Sequence, residues 1–428
     1  MKRKAARPAL APALPPGAGA LALLLCLIFL AGCAGWRDRD AWLALTDLAA
    51  GAGPSRLKQS TAEPSRQAIT YVVEGRGRAG DLYLPGQGDA LAGIVLVPGV
   101  VPEGKDNEQL VAFANTLARL RFAVLAPEMS GYRELKIGPQ HVREVADAFR
   151  HLSQRQDCAP EGRAGIAAFS YAAGPALLAA LEADIRERVR FVLAVGGYYD
   201  LRASIRFLTT GHFAENGVPR WLQPNEYGKL VFIRSAQDSL RSAADRSLFD
   251  AIVAARLREP GADVSSLAAG LGPDGRSIFQ LLSNTDPARH ETLFAALPPP
   301  ILATIDSLTL SNKPLSRLQA RLILVHGKED RLVPYTESLE LAAALPAEQS
   351  QVFVIHRALG HVDLRLSHVL SRRFWREELP DAGRLLRALS ALLRERHAPA
   401  FAPPSGVQGV LRRHGGFPDF AGTGILGA

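Results

Sequence analysis

Four short stretches in the first half of the chain, 94–97, 122–126, 166–169 and 191–195, are apolar at nearly every position. A strand of that kind must be covered on both faces, because an unbroken apolar run leaves no side to turn toward water. Between these runs the apolar residues recur every three or four positions. Leu110, Phe113, Ala114 and Leu117 form one such set, Val142, Val145, Phe149 and Leu152 a second, and 172–181 a third. That spacing lines one face of a helix. Regular alternation of buried strands with one-sided helices predicts an α/β class, a mostly parallel, doubly wound sheet with helices on both faces. A hairpin (69–74 and 81–84) precedes it. Two further strands (321–325 and 351–355) and a helix (381–394, apolar at Leu385, Leu386, Leu389, Leu392 and Leu393) complete it.

The rhythm breaks after Asp200. Residues 201–317 show helical stretches at 247–257, 277–282 and 291–297 but no clear strand, and Gly and Pro punctuate them. At 428 residues the chain is long for one domain, so a core with a large insertion is expected. The expected layout is a leader (1–32), a polar tether (33–66), a first core segment (67–200), a helical lid (201–317), a second core segment (318–397) and a flexible tail (398–428).

The residues able to do chemistry lie where these strands end. The run 166–169 leads into Ala168-Phe169-Ser170-Tyr171-Ala172 and then a helix. A serine on a sharp strand-to-helix turn needs small neighbours, usually glycines, so that strand and helix can close together; here both are alanines. A second segment, Leu322-Ile323-Leu324-Val325-His326-Gly327-Lys328-Glu329-Asp330, continues through Val333-Pro334 to Ser338. A third, Gly360-His361-Val362-Asp363, follows the last predicted strand.

The strand–His-Gly–Asp–Val-Pro segment resembles the acid loop of the α/β-hydrolase superfamily, and the order Ser, Asp, His is similar to that family's. The resemblance spans about residues 69–394, and Asp81-Leu82-Tyr83-Leu84-Pro85 looks like esterase and dienelactone-hydrolase-like members. It implies an α/β-hydrolase fold and a catalytic triad of Ser170, Asp330 and His361, with the backbone N–H groups of Tyr171 and Val100 as oxyanion donors. In the loop of Val100 this chain has Pro98-Gly99 where the family usually shows His-Gly. Glu329 is the alternative acid and His356 the alternative base. The implied activity is that of a serine hydrolase cleaving a carboxylic ester through an acyl-enzyme, on a small-molecule substrate of acyl or lipid-like character. A peptidase or acyltransferase with the same triad is the second reading. A catalytically inactive binding lipoprotein on the same fold is the third, motivated by the alanine-flanked serine and by Pro98. Serine in place of aspartate argues against epoxide-hydrolase or dehalogenase chemistry.

The first residues add an address. Lys2, Arg3, Lys4 and Arg7 precede an apolar run from Leu21 to Leu30, which ends in Leu30-Ala31-Gly32-Cys33. A basic head, a short apolar core and small residues are the plan of an export signal. The last four residues resemble the lipobox of bacterial lipoproteins, which implies cleavage before Cys33 and lipidation of its thiol. Ala34 is similar to lipoproteins sent to the outer membrane, so the expected location is its periplasmic face, with an uncleaved inner-membrane signal anchor as the alternative. These four cations carry half of the net charge of +8. The remaining arginines are dispersed, which does not describe a nucleic-acid-binding surface. Of three cysteines (Cys26, Cys33 and Cys158), only Cys158 lies beyond the signal and lipobox, so no disulfide is expected there. No spacing suggests a metal site, and no cofactor is expected. Asp200 and Glu128 read as structural loop carboxylates, and Arg202, Arg206, Arg220, Lys229 and Arg234 as a solvated basic face.

Overall fold

The computed structural model describes residues 36–362, 364 and 379–399. The leader, Cys33 and all but the first residues of the tail lie outside them. An eight-stranded sheet dominates, in the order β1-β2-β4-β3-β5-β6-β9-β10. Its strands are Ser65–Val73 (β1), Arg76–Leu84 (β2), Ala92–Val97 (β3), Phe122–Pro127 (β4), Ala164–Phe169 (β5), Phe191–Val195 (β6), Arg321–Gly327 (β9) and Ser350–Ile355 (β10). The hairpin strand β2 runs antiparallel to β1 and β4, and all other neighbours are parallel.

The apolar runs explain the layering. Along β3, Val95 and Val97 face one side while Ala92, Ile94 and Leu96 face the other, and all five are fully buried. Side chains alternate across a strand, so a strand apolar throughout supplies two cores at once. Helices α4 (Gln140–Ser153) and α5 (Ala173–Ala179) cover one face. Helices α1 (Trp36–Ala50), α3 (Glu108–Arg119) and α14 (Leu379–Arg394) cover the other. Each large aliphatic or aromatic side chain buried in this way contributes about 1.5–3 kcal/mol.

The region 36–66 departs from the tether expectation. It forms α1 and the short α2 (Arg56–Ser60), and Ala41, Ala44, Leu45 and Leu57 enter the core. Asp47, at 3% exposure, accepts the Thr116 hydroxyl of α3 at 2.6 Å and also that of Ser55, and it pairs with Lys58 at 3.1 Å. At the other end of α1, Arg396 meets Asp40 at 2.7 Å. The contacts with Thr116 and Arg396 come from elements far away in sequence, which is why local composition did not reveal them.

Between β6 and β9 lies the expected helical insertion: α6 (Leu201–Thr210), α7 (Tyr227–Gln237), α8 (Ala243–Arg258), α9 (Ser265–Ala269), α10 (Pro273–Ser283), α11 (His290–Ala295) and α12 (Pro299–Leu308). It has its own apolar centre, built around Phe249, Ile278 and Leu281. Against expectation it also holds a hairpin, β7 (His212–Glu215) and β8 (Val218–Trp221). Asn216 and Gly217, both at positive φ, form its two-residue turn, the Asn-Gly pair that such turns favour. Helix α13 (Thr336–Ala343) follows β9. Among the described residues no helix is long and apolar enough to cross a membrane.

Candidate active site

Ser170 stands at the carboxyl end of β5, where a short turn joins the strand to α5. Its φ of +58° is in the left-handed region, which costs a non-glycine residue free energy and persists only when the surroundings enforce it. The enforcement is steric. Ala168 and Ala172 are fully buried. At Gly174, the second residue of α5, an added Cβ would lie 2.0 Å from the Tyr198 hydroxyl. The close-packing role read for the flanking glycines is thus shared here by two alanines and Gly174.

Asp330 and His361 arrive from the loops after β9 and β10. At Gly327 an added Cβ would lie 2.1 Å from the carbonyl oxygen of Gly360. The His-Gly step at the end of β9 is therefore what lets the histidine loop lie against it. His326 is fully buried and structural. Its Nε2 is 3.0 Å from the Val333 carbonyl, which can only accept, so Nε2 carries the proton and Nδ1 accepts from the Ser338 hydroxyl at 2.7 Å.

The three expected side chains meet. His361 Nδ1 lies 2.6 Å from Asp330 Oδ2, and His361 Nε2 lies 2.5 Å from Ser170 Oγ. The carboxylate only accepts, so Nδ1 donates to it, which leaves Nε2 free to accept the serine proton. Asp330 is 1% exposed. Burial pushes its carboxyl up, but the attraction of His361 and the hydrogen bonds from His326 and His361 outweigh that and hold it well below the usual carboxylate range. Its other oxygen accepts the backbone N–H groups of Leu332 and Val333 at 2.8 and 3.0 Å. The unit can hold and pass one proton between an oxygen nucleophile and a fixed imidazole.

The alternatives lie elsewhere. Glu329 is exposed. His356 is also exposed, with its backbone N–H on Asp381 at 3.0 Å. Asp200 caps α6 by accepting the N–H groups of Arg202 and Ala203, and Glu128 pairs with Arg133. Arg202 pairs with Glu291, Arg220 with Glu215, Lys229 with Glu226 and Arg234 with Asp250. Cys158 is buried, which pushes its thiol up to about 11. Among the described residues no cluster of His, Cys, Asp or Glu could hold a metal ion.

A cavity of about 150 Å³ opens beside Ser170. Val100 and Tyr171, the expected oxyanion donors, line it from the core side, and Leu201, Ile205, Leu208, Val231 and Ile305 line it from the insertion. Gly99 passes close by: an added Cβ would lie 3.7 Å from Ser170 Cβ. Both loops end strands of the sheet where its order reverses, between β3 and β5, the position where such sheets form clefts.

No family model matches the chain. Over 67 residues, 16% of the chain, it is 34% identical to the 2-hydroxymuconate semialdehyde hydrolase of Pseudomonas putida, and the match spans about a quarter (24%) of that relative's length. Similar solved structures include Pyrococcus horikoshii acylaminoacyl peptidase, with 11% identity, a TM-score of 0.42, and coverage of 81% of this chain and 43% of that one. They also include an esterase from the archaeon Pyrobaculum calidifontis, with 14% identity, a TM-score of 0.41, and coverage of 83% and 92%. What decides the fold is this sheet's own strand order, with serine, acid and histidine following β5, β9 and β10 in turn. The chain has the α/β-hydrolase fold.

Sequence reasoning missed Glu337, which supports this α/β-hydrolase-type site from behind. Fully buried on α13, its Oε2 accepts the backbone N–H groups of Tyr199 and Asp200 at 2.8 and 2.7 Å. It thus ties the loop after β6, where an added Cβ at Gly196 would lie 3.0 Å from the His361 carbonyl oxygen, to the helix that follows the acid loop. Burial pushes its carboxyl up to about 8, against the pull of those two N–H groups and with repulsion from Glu340 and Asp200 adding to the rise. Between the ordinary carboxylate range and pH 8 the folded chain keeps a proton that the unfolded chain has lost, so rising pH destabilises the fold. In Glu337→Gln, the amide oxygen can still accept both N–H groups. The melting temperature of this variant relative to wild type is expected to rise steadily from pH 5 to pH 8. A difference independent of pH in thermal melts would contradict this.

Proposed function

We propose that this chain is a serine hydrolase that cleaves a carboxylic ester through an acyl-enzyme. The observation that carries the reading is the continuous hydrogen-bonded series Ser170–His361–Asp330, with its serine in a left-handed conformation at the mouth of an apolar cavity. A serine hydroxyl is a weak nucleophile at neutral pH. As Oγ attacks the ester carbonyl carbon, its proton passes to His361 Nε2, and the imidazolium formed is stabilised by Asp330. The carbonyl oxygen becomes an oxyanion facing the N–H groups of Tyr171 and Val100. Donors of this kind contribute about 3–4 kcal/mol each. The alkoxide leaves with the proton from His361. Water, deprotonated by the same imidazole, then attacks the acyl-enzyme, which releases the acid and restores Ser170.

The cavity favours the ester reading over its rivals. Its lining is mainly aliphatic and aromatic, which suits an apolar acyl or alcohol group, and the insertion would act as a lid over that group. None of the insertion cations Arg202, Arg206, Arg220, Lys229 and Arg234 lines it. Ser170→Ala should lower kcat on p-nitrophenyl esters by at least about 10⁴-fold, with unchanged folding by circular dichroism. A chain-length series should favour medium acyl groups over acetate. Activity retained in the alanine variant would reject the reading.

We further propose that Cys33 is lipidated and holds the enzyme on the bacterial envelope, at the periplasmic face of the outer membrane. The Leu-Ala-Gly-Cys motif supports this, and two or more acyl chains are enough for stable anchoring. In cells fed labelled palmitate, Cys33→Ser should lose label and keep its leader by mass. Normal processing of that variant would overturn the anchor.

A further inference from the structure

The loop that carries Val100 has few means of fixing itself. Pro98 has no N–H, and Gly99 has no side chain and lies against Ser170. A donor that must meet an oxyanion within a few tenths of an ångström therefore needs support from outside its own loop. The support comes from the insertion. Tyr227, the first residue of α7, donates its hydroxyl to the Val100 carbonyl at 2.9 Å. Burial pushes this phenol up to about 12, so it stays protonated and able to donate.

The same stretch of chain is bolted to two other loops at the carboxyl edge of the sheet. Before α7, the Asn225 N–H donates to the Arg331 carbonyl and Arg331 Nε donates to the Gln223 carbonyl, each at 2.7 Å, one residue from Asp330. Within α7, the Ser235 hydroxyl oxygen accepts the Ile137 N–H of the loop after β4 at 3.0 Å. Just past its end, Asp238 pairs with Lys136 at 2.8 Å. The hairpin adds a contact, Phe213 meeting Tyr335 edge to face at 6.3 Å.

We propose that Tyr227 is a positioning residue for the Val100 oxyanion donor, and that α7 thereby makes the insertion part of the acyl-transfer machinery as well as a cover for the cavity. This rests on the serine-hydrolase reading above. The ground-state ester needs little from the donor, and the tetrahedral species needs it fully. Loss of the Tyr227 hydroxyl should therefore appear in kcat and in transition-state-analogue binding, and not in KM.

The test uses full-length protein and the variants Tyr227→Phe and Asp238→Ala, with rates expressed per serine titrated by a fluorophosphonate. In Tyr227→Phe, kcat on a p-nitrophenyl ester should fall about 10- to 100-fold, with KM changed less than about threefold. The inhibition constant of an alkyl trifluoromethyl ketone, which forms a tetrahedral adduct on the serine, should rise by the factor lost from kcat/KM. Asp238→Ala loosens the same helix at an exposed ion pair and leaves Val100 held, so its ketone affinity should stay within about threefold of wild type. The proposal is overturned if Tyr227→Phe keeps wild-type kcat and ketone affinity, if its kcat falls while ketone affinity does not, or if Asp238→Ala weakens the ketone equally. The two levels of failure are distinguishable. A wild-type chain that hydrolyses no ester and takes no fluorophosphonate removes the serine-hydrolase reading and this inference with it. An active wild type matched by Tyr227→Phe removes this inference alone.

Discussion

Asp330 is shielded from water yet ionised, because donors converge on both of its oxygens: the backbone N–H groups of Leu332 and Val333 on one, His361 on the other, and His326 at 3.3 Å from that second oxygen. A buried carboxylate without such partners would take up a proton. Held negative, it fixes the tautomer of His361 and aims the opposite ring nitrogen at Ser170. The supports of Asp330 have supports of their own. His326 is held by Ser338 and by the Val333 carbonyl, and the histidine loop is admitted by Gly327 and capped by Asp381, which accepts the N–H groups of His356, Arg357 and Ala358. Disturbance of any of these would reach the serine through His361.

The features of this arrangement legible in the sequence are those encoded locally. Strands apolar throughout can only be central strands of a covered sheet, so β3 to β6 and β9 could be placed within about two residues at their starts, and the edge strand β10 by its apolar residues at 352–355. Ser170, Asp330 and His361 could be singled out because each follows such a strand within a few residues. Other features depend on partners far along the chain. The helix α1 reads as a polar linker, bounded by Gly51, Gly53 and Pro54, until α14 and α3 supply the surface on which Ala41, Ala44 and Leu45 are buried. Glu337 and Tyr227 sit in unremarkable helical sequence, and their roles arise from one or two hydrogen bonds to backbone more than 100 residues away. The β7–β8 hairpin is a different case. Its Asn216-Gly217 turn was a usable local signal, and the short strands on either side, four residues each, obscured it.

The insertion has its own apolar centre around Phe249, Ile278 and Leu281, so it can hold together as a unit. Its attachment to the core combines apolar packing of Leu201, Val231 and Leu308 with directional bonds from Tyr227, Asn225, Gln223 and Ser235 to loops that carry or flank the reacting groups. An element fastened in this way cannot shift without changing the geometry at Val100 and next to Asp330.

In the proposed reaction Ser170, His361 and Asp330 act as one proton-passing unit that activates a single hydroxyl. The most direct test of this is peptide mapping by mass spectrometry after brief treatment of the folded protein with a fluorophosphonate. One phosphonyl adduct is expected, on Ser170, formed in wild type and not in His361→Ala. A folded wild-type chain that takes up no adduct, or one whose adduct lies on another residue, would contradict the proposed reaction.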